Sequence, residues 1–302
     1  MSEHVIETRG LTVYYGRHRG ILNVDLNVEK GEVFGFLGPN GAGKTTTQRV
    51  LLDVIRPTSG QARIFGLDCR EQGVELRQRV GYLPGELALY KNMKANQFFK
   101  MYEYLRGQNG AKGYWQELAK RLDLDTSRRI GNFSRGNKQK VGVVAAFMNR
   151  PDLLILDEPT GGLDPLVQQT VLEMVREAKA DGRTIFFSSH ILSEVQAVCD
   201  RVGIIRDGQL VTTQRVEEMV TQRVNRINMI FADLPPADVF NIEGVTELNR
   251  SDRSVMLEVQ ENLPQVLAAA AENNIQDIET INVSLEEIFL TYYGKGNGGN
   301  HA

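Results

Sequence analysis

The sequence predicts an α/β protein built on a parallel sheet. Three observations predict it. Apolar runs of strand length alternate with helical stretches along much of the chain. One run, Glu32–Leu37, leads into a glycine-rich loop and a helix, and another, Leu153–Leu156, ends in the carboxylates Asp157 and Glu158.

The elements follow in order. Val5, Leu11, Val13, Ile21, Val24, Leu26 and Val28 alternate with polar residues, which suggests an antiparallel β subdomain. Glu32–Leu37 is a strand, and the helix from Thr45 to about Ile55 is stopped by Arg56-Pro57-Thr58-Ser59-Gly60. Gln61–Phe65 and Val80–Leu83 return to strand. Residues 86–150 read as a helical subdomain, with Phe98, Met101, Tyr102 and Leu105 as a core stripe. Next come the buried strand Leu153–Asp157, a helix at Leu166–Ala180 and a strand at Thr184–Ser188. A helix at Leu192–Val198 follows, then a hairpin turn at Asp207-Gly208.

Composition changes near residue 220. Residues 221–302 hold 12 acidic and 5 basic side chains, a net of −7, against +4 for the rest. Strand-like Arg226–Phe231 and Val255–Val259 with a helix at Leu263–Glu272 suggest a small α+β domain over 221–293. The glycine- and asparagine-rich 294–302 is expected to be a disordered tail.

The total charge of −3 on 302 residues leaves no strongly basic footprint for nucleic acid. Cys69 and Cys199 lie in no metal-binding pattern and read as reduced, buried residues. No run approaches the ~20 apolar residues of a membrane span, and no signal-peptide core is seen, so direct membrane insertion is not expected.

Gly38-Pro39-Asn40-Gly41-Ala42-Gly43-Lys44-Thr45 matches G-x-x-x-x-G-K-[ST], with a strand before it and a helix after. The motif predicts a P-loop NTPase fold and on its own leaves GTPases, kinases and helicases open. Glycines let the backbone wrap phosphate, and N–H groups at the helix start face the anion. Lys44 reaches the terminal phosphates, and the Thr45 hydroxyl suits Mg²⁺. Asp157, at the carboxyl end of its strand, is the second Mg²⁺ candidate, and Glu158 the general base for the attacking water. His190, delivered by the strand before it, is a candidate for the γ-phosphate. His4, His18 and His301 have no such setting.

These residues form part of an ordered set: Tyr15-Gly16, the phosphate loop, Gly81-Tyr82-Leu83-Pro84, Phe133-Ser134-Arg135-Gly136-Asn137, Leu153–Pro159, Gly161-Gly162-Leu163-Asp164 and Ser189-His190. Over residues 4–220 the set resembles the nucleotide-binding subunits of ABC transporters. The resemblance implies an ABC ATPase domain over 1–220 that binds ATP and Mg²⁺. Tyr15 would stack on adenine, and Gly38 through Thr46 would hold the phosphates. Ser134, Arg135, Gly136 and Asn137 would meet the γ-phosphate held by a second copy, identical or paralogous, with Asp164 at the seam. It also implies a separate membrane permease as partner and a peripheral place on the cytoplasmic face of the membrane. Arg135, Lys138 and Lys140 read as a solvated face.

Two departures stand out. The signature is FSRGN where the family usually has LSGGQ. Gly85 stands where a glutamine usually follows Gly-Tyr-x-Pro, so Glu86 would take the Mg²⁺ or water role with a one-residue shift. Val283–Leu290 (VSLEEIFL) is similar to the ending of an accessory domain on exporter ATPases, which favours export. Two other readings are a soluble ABC-type ATPase of DNA repair or translation, and a regulator that binds ATP without turnover. The single phosphate loop and the absence of CxxC pairs and heptads speak against the first, and the presence of Glu158 and His190 against the second.

Overall fold

A computed structural model describes residues 4–105, 112–221, 225–259 and 261–281. The chain divides into two compact units, Met1–Val216 and Glu217–Ala302.

The first unit begins with two long strands, β1 (His4–Tyr15) and β2 (His18–Glu29), paired antiparallel. Their alternating burial follows the alternating sequence. Next come β3 (Val33–Leu37), α1 (Lys44–Leu51), β4 (Ser59–Ile64), β5 (Leu67–Asp68), α2 (Gly73–Arg79) and β6 (Val80–Leu83). The helical region contains α3 (Ala95–Leu105), α4 (Tyr114–Arg121), a 3-10 turn at Ile130–Asn132 and α5 (Arg135–Phe147). Then follow β7 (Leu153–Asp157), α6 (Pro165–Ala180), β8 (Thr184–Ser189), α7 (Leu192–Val198) and the hairpin β9 (Arg201–Arg206) and β10 (Gln209–Arg215); α8 (Val216–Thr221) starts at the unit's last residue and belongs otherwise to the second unit.

Two sheets organise this unit: an antiparallel one in the order β2-β1-β4-β5, and a six-stranded one in the order β10-β9-β3-β8-β7-β6. In the larger sheet every pairing except β9 with β10 is parallel. Its inner strands β3, β7 and β8 are buried at every position, as parallel strands covered on both faces must be. Phe34 and Phe36 of β3 pack on Phe186 of β8, with ring centroids 5.9 and 5.2 Å apart. This chemistry places the carboxyl ends of β3, β7 and β8 side by side, and the three sequence motifs leave from those ends.

Three readings need correction. The helix after the phosphate loop ends at Leu51, not near Ile55, because Asp53 turns left-handed (φ 54°). The α3 stripe is only partly core: Phe98 is buried but Leu105 is exposed, and Phe99, adjacent to Phe98, fills the interior against Trp115. Lys140 does not lie on a solvated face; it is buried with Gln139 on the inner side of α5. Both cysteines are free and buried.

The second unit contains β11 (Asn225–Phe231), β12 (Val245–Arg250), β13 (Ser254–Val259), α9 (Leu263–Glu272) and β14 (Ile275–Ile281). Its antiparallel sheet runs β12-β13-β11-β14. Ile227, Met229, Phe231, Val255, Leu257 and Val259 form the inner face with Val266 and Ala270 of α9. The edge strands β12 and β14 were not foreseen, because their side chains are mostly exposed and carry little apolar alternation. The Val283–Leu290 segment and the 294–302 tail lie outside the described residues.

Candidate functional site

The loop between β3 and α1 is shaped by glycine. Gly43 adopts φ +111°, and a Cβ there would come 2.6 Å from Ile21 Cγ2. No side chain therefore blocks the start of α1. The N–H groups of Gly41, Gly43, Lys44 and Thr45 have no hydrogen-bond partner among the described residues. They border a cavity of ≈ 140 Å³ lined by Pro39, Asn40, Gly41, Gly43, Lys44, Thr45, Thr46 and Glu158. Unpaired donors at a helix start around a small hollow are what a phosphate requires. The buried Lys44 ammonium donates to the carbonyls of Gly38 (2.6 Å) and Pro39 (3.2 Å) at the edge of this hollow.

Asp157, at the end of β7, is 1% exposed. Its Oδ2 accepts from Thr45 Oγ1 at 2.7 Å and its Oδ1 from Ser188 Oγ at 2.6 Å. A hydroxyl and a carboxylate in contact supply the hard oxygen ligands that Mg²⁺ favours. Burial, and then the Asp157 charge, push the Tyr82 phenol up to about 12.

Glu158 turns left-handed, with φ 48°. Its N–H donates to Ser188 O (3.1 Å), and its carbonyl accepts from Gly161 N (3.0 Å) and Gln139 Nε2 (3.2 Å). Such a backbone is costly for a non-glycine residue, and here its surroundings impose it. The turn lets Asp157 and Glu158 serve the same side. Glu158 Oε1 lies 3.1 Å from His190 Nδ1 and 3.4 Å from Lys44 Nζ. The second ring nitrogen of His190 is left for another partner.

The other expected residues lie as follows. The Tyr15 hydroxyl is 3.3 Å from Thr46 Oγ1, and a Cβ at Gly20 would meet the Tyr15 ring at 2.9 Å. Ser134 caps α5, its Oγ accepting from Asn137 N (3.3 Å), and Asp164 caps α6, its Oδ1 accepting from Val167 N (3.1 Å). A Cβ at Gly136 would sit 2.9 Å from Gly162 O, and one at Gly162 would touch Arg135, so the FSRGN and GGLD segments adjoin. Ala42 is buried, which anchors the loop. Glu86 is exposed, with no hydrogen bond or ion pair to the phosphate loop or Asp157 among the described residues. A Cβ at Gly85 would meet Asp157 Oδ2 at 2.9 Å.

Sequence reasoning missed Ser188, Gln139 and Gly208. Gly208 N donates to Ala42 O (3.0 Å), and Gly208 O accepts from Leu22 N (2.7 Å), pinning the β9–β10 turn to the phosphate loop. The DG signal marked the turn but not its target.

Known proteins resemble this chain in sequence and fold. A family model described as ABC transporter matches residues 21–161. The ABC transporter ATP-binding protein YcbN of Bacillus subtilis (strain 168), itself uncharacterized, is 31% identical over 95% of this chain and 96% of its own length. The bacitracin transport ATP-binding protein BcrA of Bacillus licheniformis is 40% identical over 78% of this chain and 76% of its own. The chain belongs to the ABC transporter ATP-binding family. A solved ATP-binding subunit of an ABC transporter superposes with a TM-score of 0.66 at 29% identity, over 72% of this chain and 92% of that one. The ATP-binding cassette MJ0796, a dimer in a post-hydrolysis state with ADP and Pi, has the same fold, with a TM-score of 0.64 at 20% identity, over 70% of this chain and 98% of that one.

As a member of this family the protein is an ATP-binding ATPase. In this ABC ATPase the residues fit the nucleotide: free donors for phosphate oxygens, a cation beside them, and a carboxylate within reach of the same hollow. When bound, Mg²⁺ supplies charge neutralisation at the phosphates. Thr45 and Asp157 are the residues that would hold it.

Proposed function

We propose that this ATPase is the engine of an exporter, working as a pair around two ATP-Mg and driving a separate permease. The observation that carries the reading is the convergence of Lys44, Thr45, Asp157, Glu158 and His190 at one strand-end cluster. Gly38 to Thr46 hold the phosphates, Thr45 and Asp157 hold Mg²⁺, Glu158 draws a proton from the attacking water, and His190 orients the γ-phosphate. Tyr15 receives the adenine ring. Residues 1–220 are the nucleotide-binding domain and 221–293 an accessory domain.

The second copy completes each site with Ser134, Arg135, Gly136 and Asn137 at the capped start of α5, with Asp164 at the seam. A serine hydroxyl and helix N–H groups suit an anion. Because Glu86 is exposed and makes no hydrogen bond or ion pair to Asp157 among the described residues, we assign it to the permease rather than to the metal. No helix among the described residues is long and apolar enough to cross a membrane. In this reading the protein sits on the cytoplasmic face of the membrane through its permease, docked by the helical subdomain and the 82–86 loop. The relative named for bacitracin transport supports a transport role, and the similarity of Val283–Leu290 to an exporter accessory domain favours export.

The test is co-purification. Tagged Glu158→Gln protein is recovered with ATP from detergent-solubilised native membranes. A stoichiometric multi-span partner supports the reading; recovery of ribosomes or DNA-repair proteins instead overturns it.

A further inference from the structure

One buried carboxylate outside the seat is tied to it. Glu194, in the first turn of α7, is 7% exposed and has no ion pair among the described residues. Its Oε1 accepts from Thr160 Oγ1 at 2.5 Å and its Oε2 from Ser189 Oγ at 2.7 Å. Both hydroxyl residues are buried. A carboxylate withdrawn from water is costly unless such bonds satisfy it, and bonds to an ionised acceptor are the stronger kind.

The two donors lie at telling places. Thr160 follows Glu158 by two residues, and Ser189 immediately precedes His190. Ser189 Oγ also accepts from Ile191 N at 2.9 Å, so the turn carrying His190 is held at both ends. On its other side the 158–160 segment is held by Gln139, whose Nε2 donates to the carbonyls of Glu158 and Pro159, each at 3.2 Å. The left-handed backbone of Glu158 needs such support.

We propose that Glu194 is a positioning residue for hydrolysis: its carboxylate clamps the Glu158 segment to the His190 segment and sets their 3.1 Å approach. The proposal rests on the reading of Glu158 and His190 given above. Neither Glu194 nor Thr160 lines the phosphate cavity. Loosening the clamp therefore costs turnover and leaves ATP uptake intact.

The experiment measures steady-state ATP hydrolysis and ATP affinity on the full chain. Glu194→Ala is expected to lower kcat about tenfold or more with KM for ATP changed less than about twofold. Glu194→Gln, which can accept from one hydroxyl and donate to the other, is expected to recover kcat to within about threefold of wild type. Should Glu194→Ala not fold, the near-isosteric Thr160→Val removes one arm of the clamp and is expected to lower kcat about fivefold with KM unchanged. Wild-type kcat in Thr160→Val or in folded Glu194→Ala, or a raised KM at unchanged kcat, overturns the clamp. Glu158→Gln is measured alongside. If it hydrolyses ATP at the wild-type rate, the reading of the site fails and the clamp with it. If it is inactive while Thr160→Val matches wild type, the clamp alone fails.

Discussion

The Thr45 hydroxyl donates to Asp157 Oδ2 across 2.7 Å, joining residues 112 positions apart. Thr45 lies in the first turn of α1 and Asp157 closes β7, so the bond forms only when the helix and the strand end meet. Two oxygens brought together in this way can exchange their mutual proton contact for a shared cation. Asp157→Asn keeps the volume and removes the charge. It is expected to raise the Mg²⁺ concentration needed for half-maximal ATP hydrolysis by about tenfold or more, read from a Mg²⁺ titration.

Glu158→Gln is expected to lower the hydrolysis rate by about a hundredfold or more, the usual share of a general base. ATP binding should persist, because Lys44 and the loop N–H groups remain. Single-turnover hydrolysis and a nucleotide-binding assay on the same preparation separate the two.

Gly208 leaves no room for a side chain. Its φ is +76°, and a Cβ would come 2.7 Å from Gly20 O. Gly208→Ala is expected to destabilise the protein by about 1–3 kcal/mol. Because the turn bonds to Ala42 O, thermal unfolding should also show a smaller stabilising shift on adding ATP than in wild type.

Tyr82 provides an alkaline signature. Burial and Asp157 raise its folded-state pKa to about 12, above the usual 10.0. The unfolded chain thus loses this proton first. Stability from this group is complete below pH 10.0 and declines as pH rises toward about 12. Tyr82→Phe is expected to remove about 1–2 kcal/mol of that decline. Urea unfolding of both proteins from about pH 9, below that window, to about pH 11.5, inside it, reads the difference.

The legible parts of the site were contiguous. Gly38 to Thr45, Asp157-Glu158 and His190 each follow an apolar strand, so local pattern announced them, as it did β6, β7, α7 and α9. Ser188, Gln139 and Glu194 gave no such signal, because each acts through partners far along the chain, and the Asp207-Gly208 pair marked a turn but not its bond to Ala42. Ser188 faces Asp157 only because β7 and β8 are neighbours. Gln139 looks like any polar residue of α5 until the helix lies against Glu158. Leu105 misled for the reverse reason: its spacing matches the core face, but α3 ends there and leaves it in solvent. The edge strands β12 and β14 were hidden because they carry too few buried apolar residues to alternate.

The sheet order also bears on synthesis. β3 lies between β8 and β9, and its partners are Thr184–Ser189 and Arg201–Arg206. A nascent chain that has not yet reached β8 therefore carries β3 with both edges open and its five apolar or small residues uncovered. The phosphate loop hangs from that strand, and its brace at Gly208 arrives later still. The nucleotide site can close only after β8, β9 and the Gly208 turn have left the ribosome, an assembly dominated by distant contacts and slow by nature. Any product truncated before β9 would combine a complete phosphate motif with an exposed, aggregation-prone strand and no working site.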